Sequence, residues 1–280
     1  MKRLILLLLC APPCIFAAAP TTDWSPNTTA TAAWMGNVSN GSAVWDRIST
    51  LLLRLDGYST KESRFAKADS MLLTTHLGVD WYPRYLDLSQ AALGARLGWQ
   101  HTFGVGAFAP VFSIEGSGDY ILASDKPRRG TLGAATLKLS KRFGPLWRAT
   151  VAERFDEFAA QRSVFDSRSS ETSLEIGRDL GDSTRVSLTG RWRDGDVVTY
   201  ASYSRPDLEA IARDSAVLET FHDPMTAYST KAKTVGGQIA LVHATSEQTA
   251  LVLAYEYSRT SRTGLKFANS AISLSIVEQY

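Results

Sequence analysis

Four histidines and a regular scatter of charged residues are the groups in this 280-residue chain that could do chemistry. His76 and Asp80 share a face if their segment is extended. Four residues of strand then hold them roughly 13 Å apart, too far for a base to activate a nucleophile. His222-Asp223 precedes Pro224 and could hold a metal or move a proton, but the same residues are ordinary turn formers. His101 and His243 fall beside short turns. Gly104-Val-Gly106-Ala-Phe-Ala109 mimics a dinucleotide fingerprint, yet it joins two extended segments and opens no helix. No catalytic residue, metal site or cofactor is assigned on these grounds, and the chain is not expected to be an enzyme.

Arginine, lysine, aspartate and glutamate recur instead at every second position, opposite apolar residues. Arg54, Asp80, Arg96, Glu115, Lys138 and Arg148 take the polar parity of their segments. So do Arg154, Glu175, Arg185, Arg191, Arg193 and Glu256. Charges at that spacing make one polar face of a strand.

The elements that carry them alternate with period two. Val186, Leu188 and Trp192 oppose Arg185, Ser187, Arg191 and Arg193; Leu251, Leu253, Tyr255 and Tyr257 oppose Ala254, Glu256 and Ser258. Leu93 to Trp99 and Leu77 to Trp81 repeat the pattern, and so do Ile272, Leu274 and Ile276. Short turns at His101–Gly104, Lys141–Gly144, Leu180–Ser183 and Thr245–Gln248 alternate with longer polar connections. The long ones are Ser124–Gly130, Ala159–Ser170, Tyr203–Thr230 and Arg259–Lys266. With Thr28–Met35 as the first strand and Arg47–Asp56 as the second, twelve strands are expected; ten remain if the N-terminal part is irregular. Gly57–Asp69 would then be a long turn on the short-turn side. Arg205–Arg213 has a Pro in its first turn, acids after it and a Leu208, Ile211, Ala212 stripe, which predicts a helix over the mouth or against the rim.

The N-terminus reads as an export signal: Met1-Lys2-Arg3, an apolar run to Phe16, and small residues that place cleavage after Ala17 or Ala19. Cys10 and Cys14, the chain's two cysteines, would leave with it. Residues 20–280 then form a single domain. Of 30 basic residues two belong to the leader, so 28 face 28 acids, and no basic excess points to nucleic acid. After the leader no run reaches the roughly 18 apolar residues of a spanning helix. A chain that crosses lipid with strands must close into a barrel, because every backbone polar group needs a partner there.

On the leader, the strand rhythm, aromatics at strand ends (Trp81, Trp99, Trp147, Trp192, Tyr255, Tyr257) and the terminal Tyr280, the chain resembles the porin-like outer-membrane β-barrels of Gram-negative bacteria. The resemblance implies an all-β fold, a transmembrane antiparallel up-and-down barrel with a short helix in one extracellular loop. It also implies an outer-membrane location, insertion by the barrel-assembly machinery with Tyr280 as the assembly signal, and lipid and lipopolysaccharide as surroundings. No His-x-Ser pair like that of barrel phospholipases occurs, and no Asp cluster like that of omptin-type proteases.

The expected activity is passive passage of small hydrophilic solutes, the twelve inward charges forming a hydrated wall that weakly favours anions. The rival expectation is that those charges pair and plug the interior, leaving an envelope barrel whose loops serve adhesion or lipopolysaccharide contact; a barrel-embedded hydrolase using His222 is the third. Lys126, Arg128 and Arg129, with Arg259 and Arg262, are the basic loop residues expected to meet lipopolysaccharide phosphates.

Overall fold

A computed structural model describes residues 24–280. The expected leader, its cleavage sites and both cysteines lie outside the described residues. Thirteen strands form one antiparallel sheet. They are β1 (Trp24–Met35), β2 (Thr50–Arg64), β3 (Asp69–Trp81), β4 (Gln90–Thr102), β5 (Val111–Ala123), β6 (Gly130–Phe143), β7 (Trp147–Ala160) and β8 (Ser167–Asp179). There follow β9 (Thr184–Ala201), β10 (Asp214–Phe221), β11 (Asp223–Ala244), β12 (Thr249–Arg262) and β13 (Leu265–Gln279). A single α-helical turn, α1 (Pro206–Glu209), lies between β9 and β10.

Twelve of these strands make a closed barrel. Each pairs with its neighbour in the chain, β9 pairs directly with β11, and β13 returns to β1 from Asn27↔Gln279 to Met35↔Ala271. Closure leaves no unpaired strand edge, the condition for crossing lipid with strands. The apolar face points out: Leu93, Leu97, Leu188, Ile239, Leu253, Ile272 and Leu274 are all exposed, while small and charged side chains alternate with them on the inside. A soluble sandwich would bury that face; this barrel needs an apolar solvent around it.

The chain enters β1 and leaves β13 at the end that carries the turns 65–68, 103–110, 144–146, 180–183 and 245–248. The other end carries 36–49, 82–89, 124–129, 161–166, 202–222 and 263–264 and is called the loop end below.

Several expected boundaries move. Gly57–Asp69 is not a long turn: β2 runs on to Arg64, because Tyr58 stacks on His76 at 5.3 Å and Thr60 bonds Thr74 across the pair. Polar residues there fill the inner face of a strand. For the same reason Arg259–Lys266 is not a long loop. The hydroxyls of Thr260 and Thr234 bond across the wall, and the chain reverses at Thr263-Gly264, where Gly264 takes a φ of +82°. Conversely, β4 ends at Thr102 and its turn runs to Pro110, and β2 begins at Thr50 after a 14-residue loop that alternation does not flag. The expected helix shrinks to one turn, although its stripe survives: Leu208, Ile211 and Ala212 pack against Leu265 and Phe267.

Candidate functional site: the lumen and its covered mouth

Because side chains alternate in and out, the register fixes what lines the interior. All twelve charged positions named from the sequence fall on the inward parity. The structure adds inward Asp56, His76, Asp119, Glu171 and Asp179. Apart from Glu256, these charges lie on β2 to β9. The remaining arc, β11 to β13 and β1, presents Thr31, Ala33, Gln238, Ala254, Ser273 and similar small residues, with Glu256 its one carboxylate among the described residues of that inner face.

Part of the charge is committed to pairs. Arg54 Nε donates to Asp80 Oδ1 at 2.5 Å and its Nη2 to Oδ2 at 2.9 Å, with Gln90 donating to the same carboxylate. Arg185 pairs with Asp179 at 2.6 Å, Arg191 reaches Glu256 at 3.3 Å, and Arg193 stands 3.9 Å from Asp156. Arg96, Lys138, Arg148, Arg154, Glu115 and Glu175 form no ion pair among the described residues. The interior is therefore neither fully cross-linked nor of one sign. A cavity of about 360 Å³ remains between Arg54 and Glu256 along the uncharged arc.

His76 is held in a set the spacing argument does not reveal. It does not meet Asp80, as four residues of strand require. Its Nδ1 lies 3.2 Å from Asp119 and its Nε2 3.5 Å from Asp56. Tyr58, His76, Gly94 and Asp119 stand opposite one another on successive strands. Gly94 makes the contact possible, since a Cβ there would sit 1.9 Å from the Asp119 carboxylate oxygen. The missing side chain lets Asp119 reach over β4 to β3.

The loop end is covered. Above Gly195, β9 and β11 leave the wall, and β10 pairs along the free edge of upper β11, from Asp214↔Ser229 to Phe221↔Asp223. In the twelve-strand circuit the β9–β11 pair lies opposite β3–β4. The tip of the hairpin nevertheless reaches them: His222 Nε2 lies 2.7 Å from the Arg84 carbonyl, and its ring lies 5.3 Å from Tyr85. The hairpin thus spans the mouth. Beneath it Phe221 makes edge contacts with Tyr85 at 5.3 Å and Tyr200 at 5.0 Å, among Leu88, Val164, Phe165 and Met225. Loop 36–49 braces the other side: Tyr200 N donates to Ser39 O, Asn40 to Val198 O and Ser202 N to Asp46. His222 is a left-handed tip residue (φ 74°) that touches backbone and a ring, and among the described residues it forms no hydrogen bond or ion pair with a carboxylate. The short α1 flanks this cover through Leu208.

The basic residues expected to meet lipopolysaccharide divide. Arg129 turns back to the Ala123 carbonyl, Arg128 lies over the Phe165 ring and reaches the Asp87 carbonyl, and Arg262 donates to Thr230 and to the Lys231 carbonyl. Lys126 and Arg259 stay exposed. Arg259 and Arg262 stand on β12 rather than in a loop. In the same rim, burial pushes the Asp125 carboxyl up, and the bidentate contact from Arg205 holds Asp207 down. Tyr280 bonds Glu278 and the Pro26 carbonyl beside the closing strand pair.

No family model and no curated protein matches the sequence. Among solved structures, the COG4313 outer membrane channel from Pseudomonas putida F1 superposes with a TM-score of 0.60 at 8% identity, over 94% of this chain and 97% of that one. This chain shares the closed β-barrel fold of that outer membrane channel. The NanC porin (TM-score 0.46, 6% identity, 90% of this chain and 100% of that one) lies further away. So does the outer membrane phospholipase of Salmonella typhi (0.49, 10% identity, 90% of each chain).

Proposed function

We propose that this protein is a passive outer-membrane channel for small hydrophilic solutes, opened and closed at its outer mouth by the β10–β11 hairpin. The loop end then faces outward and the turn end the periplasm, the arrangement that short turns and longer loops take in such barrels. The observation that carries the proposal is the incompletely filled lumen. A structural barrel would saturate its interior with ion pairs, whereas here Arg96, Lys138, Arg148 and Arg154 form no ion pair among the described residues, and a cavity remains along the largely uncharged arc of β11 to β13 and β1. Unpaired side chains of both signs across a small-residue wall hydrate a path and set a transverse field along it. The likeness in fold to an outer membrane channel agrees.

Planar-bilayer recording on the full-length folded barrel tests this. Ohmic steps are expected, with ion selectivity that shifts when Arg191 and Arg193 are changed to Gln. Complete silence from heat-modifiable, correctly folded protein, with or without the hairpin, rejects the channel. The covered mouth also suits a second reading, an envelope barrel that transports nothing and displays its rim, and that silence is the result it requires.

A further inference from the structure

The outward face at the loop end of β11, β12 and β13 carries four exposed cations: Lys231, Lys233, Arg259 and Lys266. None has an ion pair or a side-chain hydrogen bond among the described residues, in contrast to the Arg168–Glu157 pair at 2.5 Å on the outer face of β7 and β8. The register sets three of them side by side. Lys233 stands opposite Ser261 and Ser261 opposite Lys266, with Arg259 two residues nearer the turn end on the middle strand. Lys233 and Lys266 are thus two strand spacings, about 10 Å, apart. Asp194 lies opposite Lys233 in the β9–β11 register and forms no ion pair with it.

Directly below these cations the same face turns apolar: Tyr257, Tyr255 and Leu253 on β12, Ile239 on β11 and Ile272 on β13 are all exposed. Lys233, Arg259 and Lys266 therefore stand on the wall of the barrel at the upper border of its apolar band, not on loops in bulk water, and Lys231 lies just above them where β11 leaves the wall. Long basic side chains rooted there lay their stems along apolar surface and place their charge at headgroup depth. Beside Lys266, a concavity of about 560 Å³ lies between it and Trp45, a residue 72% exposed.

We infer that this face binds a phosphate-bearing lipid of the surrounding leaflet, its acyl chains along Leu253, Tyr255 and Ile272 and its phosphates on Lys233, Arg259 and Lys266. Guanidinium and ammonium groups left without acids match phosphate oxygens in charge and donor geometry. The border position explains what solvated loop charges would not: why Lys233, Arg259 and Lys266 share one face of three adjacent strands. Lys126, Arg128 and Arg129 on the opposite side of the rim are not part of this surface.

The test uses full-length folded protein in a non-ionic detergent, titrated with lipid A bearing both phosphates and followed by native mass spectrometry. Dephosphorylated lipid A and inorganic phosphate serve as comparison probes. One lipid A per barrel is expected, with affinity falling roughly fivefold for each cation removed, so about 100-fold for Lys233→Gln with Arg259→Gln and Lys266→Gln. Dephosphorylated lipid A should show the same loss, and Lys126→Gln none. Arg259→Gln alone, at fivefold, serves if the triple variant does not fold. Unchanged binding by the substituted protein, equal binding of dephosphorylated lipid, or full displacement by inorganic phosphate at concentrations matching the lipid would each overturn the inference.

Discussion

Replacing Phe221 with alanine should open the mouth without weakening the barrel. Phe221 is 4% exposed, packed edge-on against Tyr85 and Tyr200, and ends β10, a strand that pairs with β11 and with no other strand. Removing a buried phenyl group costs about 3–5 kcal/mol, part transfer energy and part cavity. Here nearly all of it falls on the docked hairpin, because the pairs that close the wall, β13 with β1 and lower β9 with β11, make no use of this side chain. At about 1.4 kcal/mol per power of ten, the docked-to-undocked ratio should fall by roughly two to three and a half powers of ten. Single-channel recording would show this as a rise in open probability with unchanged conductance of the open state, since the lumen below is untouched. The midpoint of heat-modifiable migration should move little. Unaltered open probability in Phe221→Ala, or a barrel that melts with the hairpin, would refute the gate.

His222→Ala removes the tip contact to Arg84 and should act in the same direction more weakly, by about 1 kcal/mol for one hydrogen bond, so roughly a fivefold change in open probability. Arg54→Gln leaves the Asp80 carboxylate, 8% exposed, without its guanidinium and should cost about 2 kcal/mol, as for a charged hydrogen bond rather than a fully buried pair, because the Arg54 side chain is 44% exposed and Gln90 still donates. Adding Asp80→Asn should return most of it, and a urea double-mutant cycle that shows no coupling would contradict the pairing. Gly94→Ala drives a methyl into Asp119 and the Gly118 carbonyl and should cost about 1–3 kcal/mol, read as a lower urea midpoint. Asp125 has its pKa raised by burial, so the folded loop keeps its proton to higher pH than the unfolded chain does. The stability this gives is complete below the ordinary aspartate range and is lost as pH rises through the raised value. Asp125→Asn should accordingly slow hydrogen exchange in 124–129 near neutrality and make no difference at pH 3.

How much could be known in advance depends on whether a segment follows one solvent rule. Where lipid lies outside and water inside, alternation is enforced residue by residue, so the inward parity of Arg54, Arg191 and Glu256 can be read directly, and with it the up-and-down barrel. Where both faces of a strand meet polar or mixed surroundings, the rule lapses. Thr60, Lys61 and Glu62 read as a turn because nothing apolar alternates with them, yet β2 continues through them on cross-strand contacts alone. Asp119 and Asp56 were invisible as partners of His76 because their meeting depends on pairing between distant segments and on the absence of a Cβ at Gly94. The arginines of the rim failed differently. Their charge suggested solvent, but backbone carbonyls exposed by the turns around them took Arg128, Arg129 and Arg262 instead.

The cover follows from the same solvent logic run in reverse. Above Gly195 the sequence turns apolar on both sides, with Val197, Val198, Tyr200 and Ala201 on β9 and Met225, Ala227 and Tyr228 on β11. A strand buried on both faces cannot remain in a wall that has lipid on one side and water on the other. It must leave the wall and find apolar partners on each surface. The loops provide them, Tyr85, Leu88, Val164 and Phe165 on one side and Leu208, Leu265 and Phe267 on the other. The hairpin therefore crosses the mouth because its composition leaves it no stable place in the wall; the β9–β11 ladder carries it upward, and its far tip is held across the mouth by side-chain packing and the His222 contact. A wall closed by ladders on both sides of every strand, with a tip docked mainly by packing, is what separates the two stabilities. A graded denaturant series should release the hairpin, seen as amide exchange at Phe221, at a lower urea concentration than the barrel; simultaneous loss would mean that cover and wall are one cooperative unit and that no gate exists.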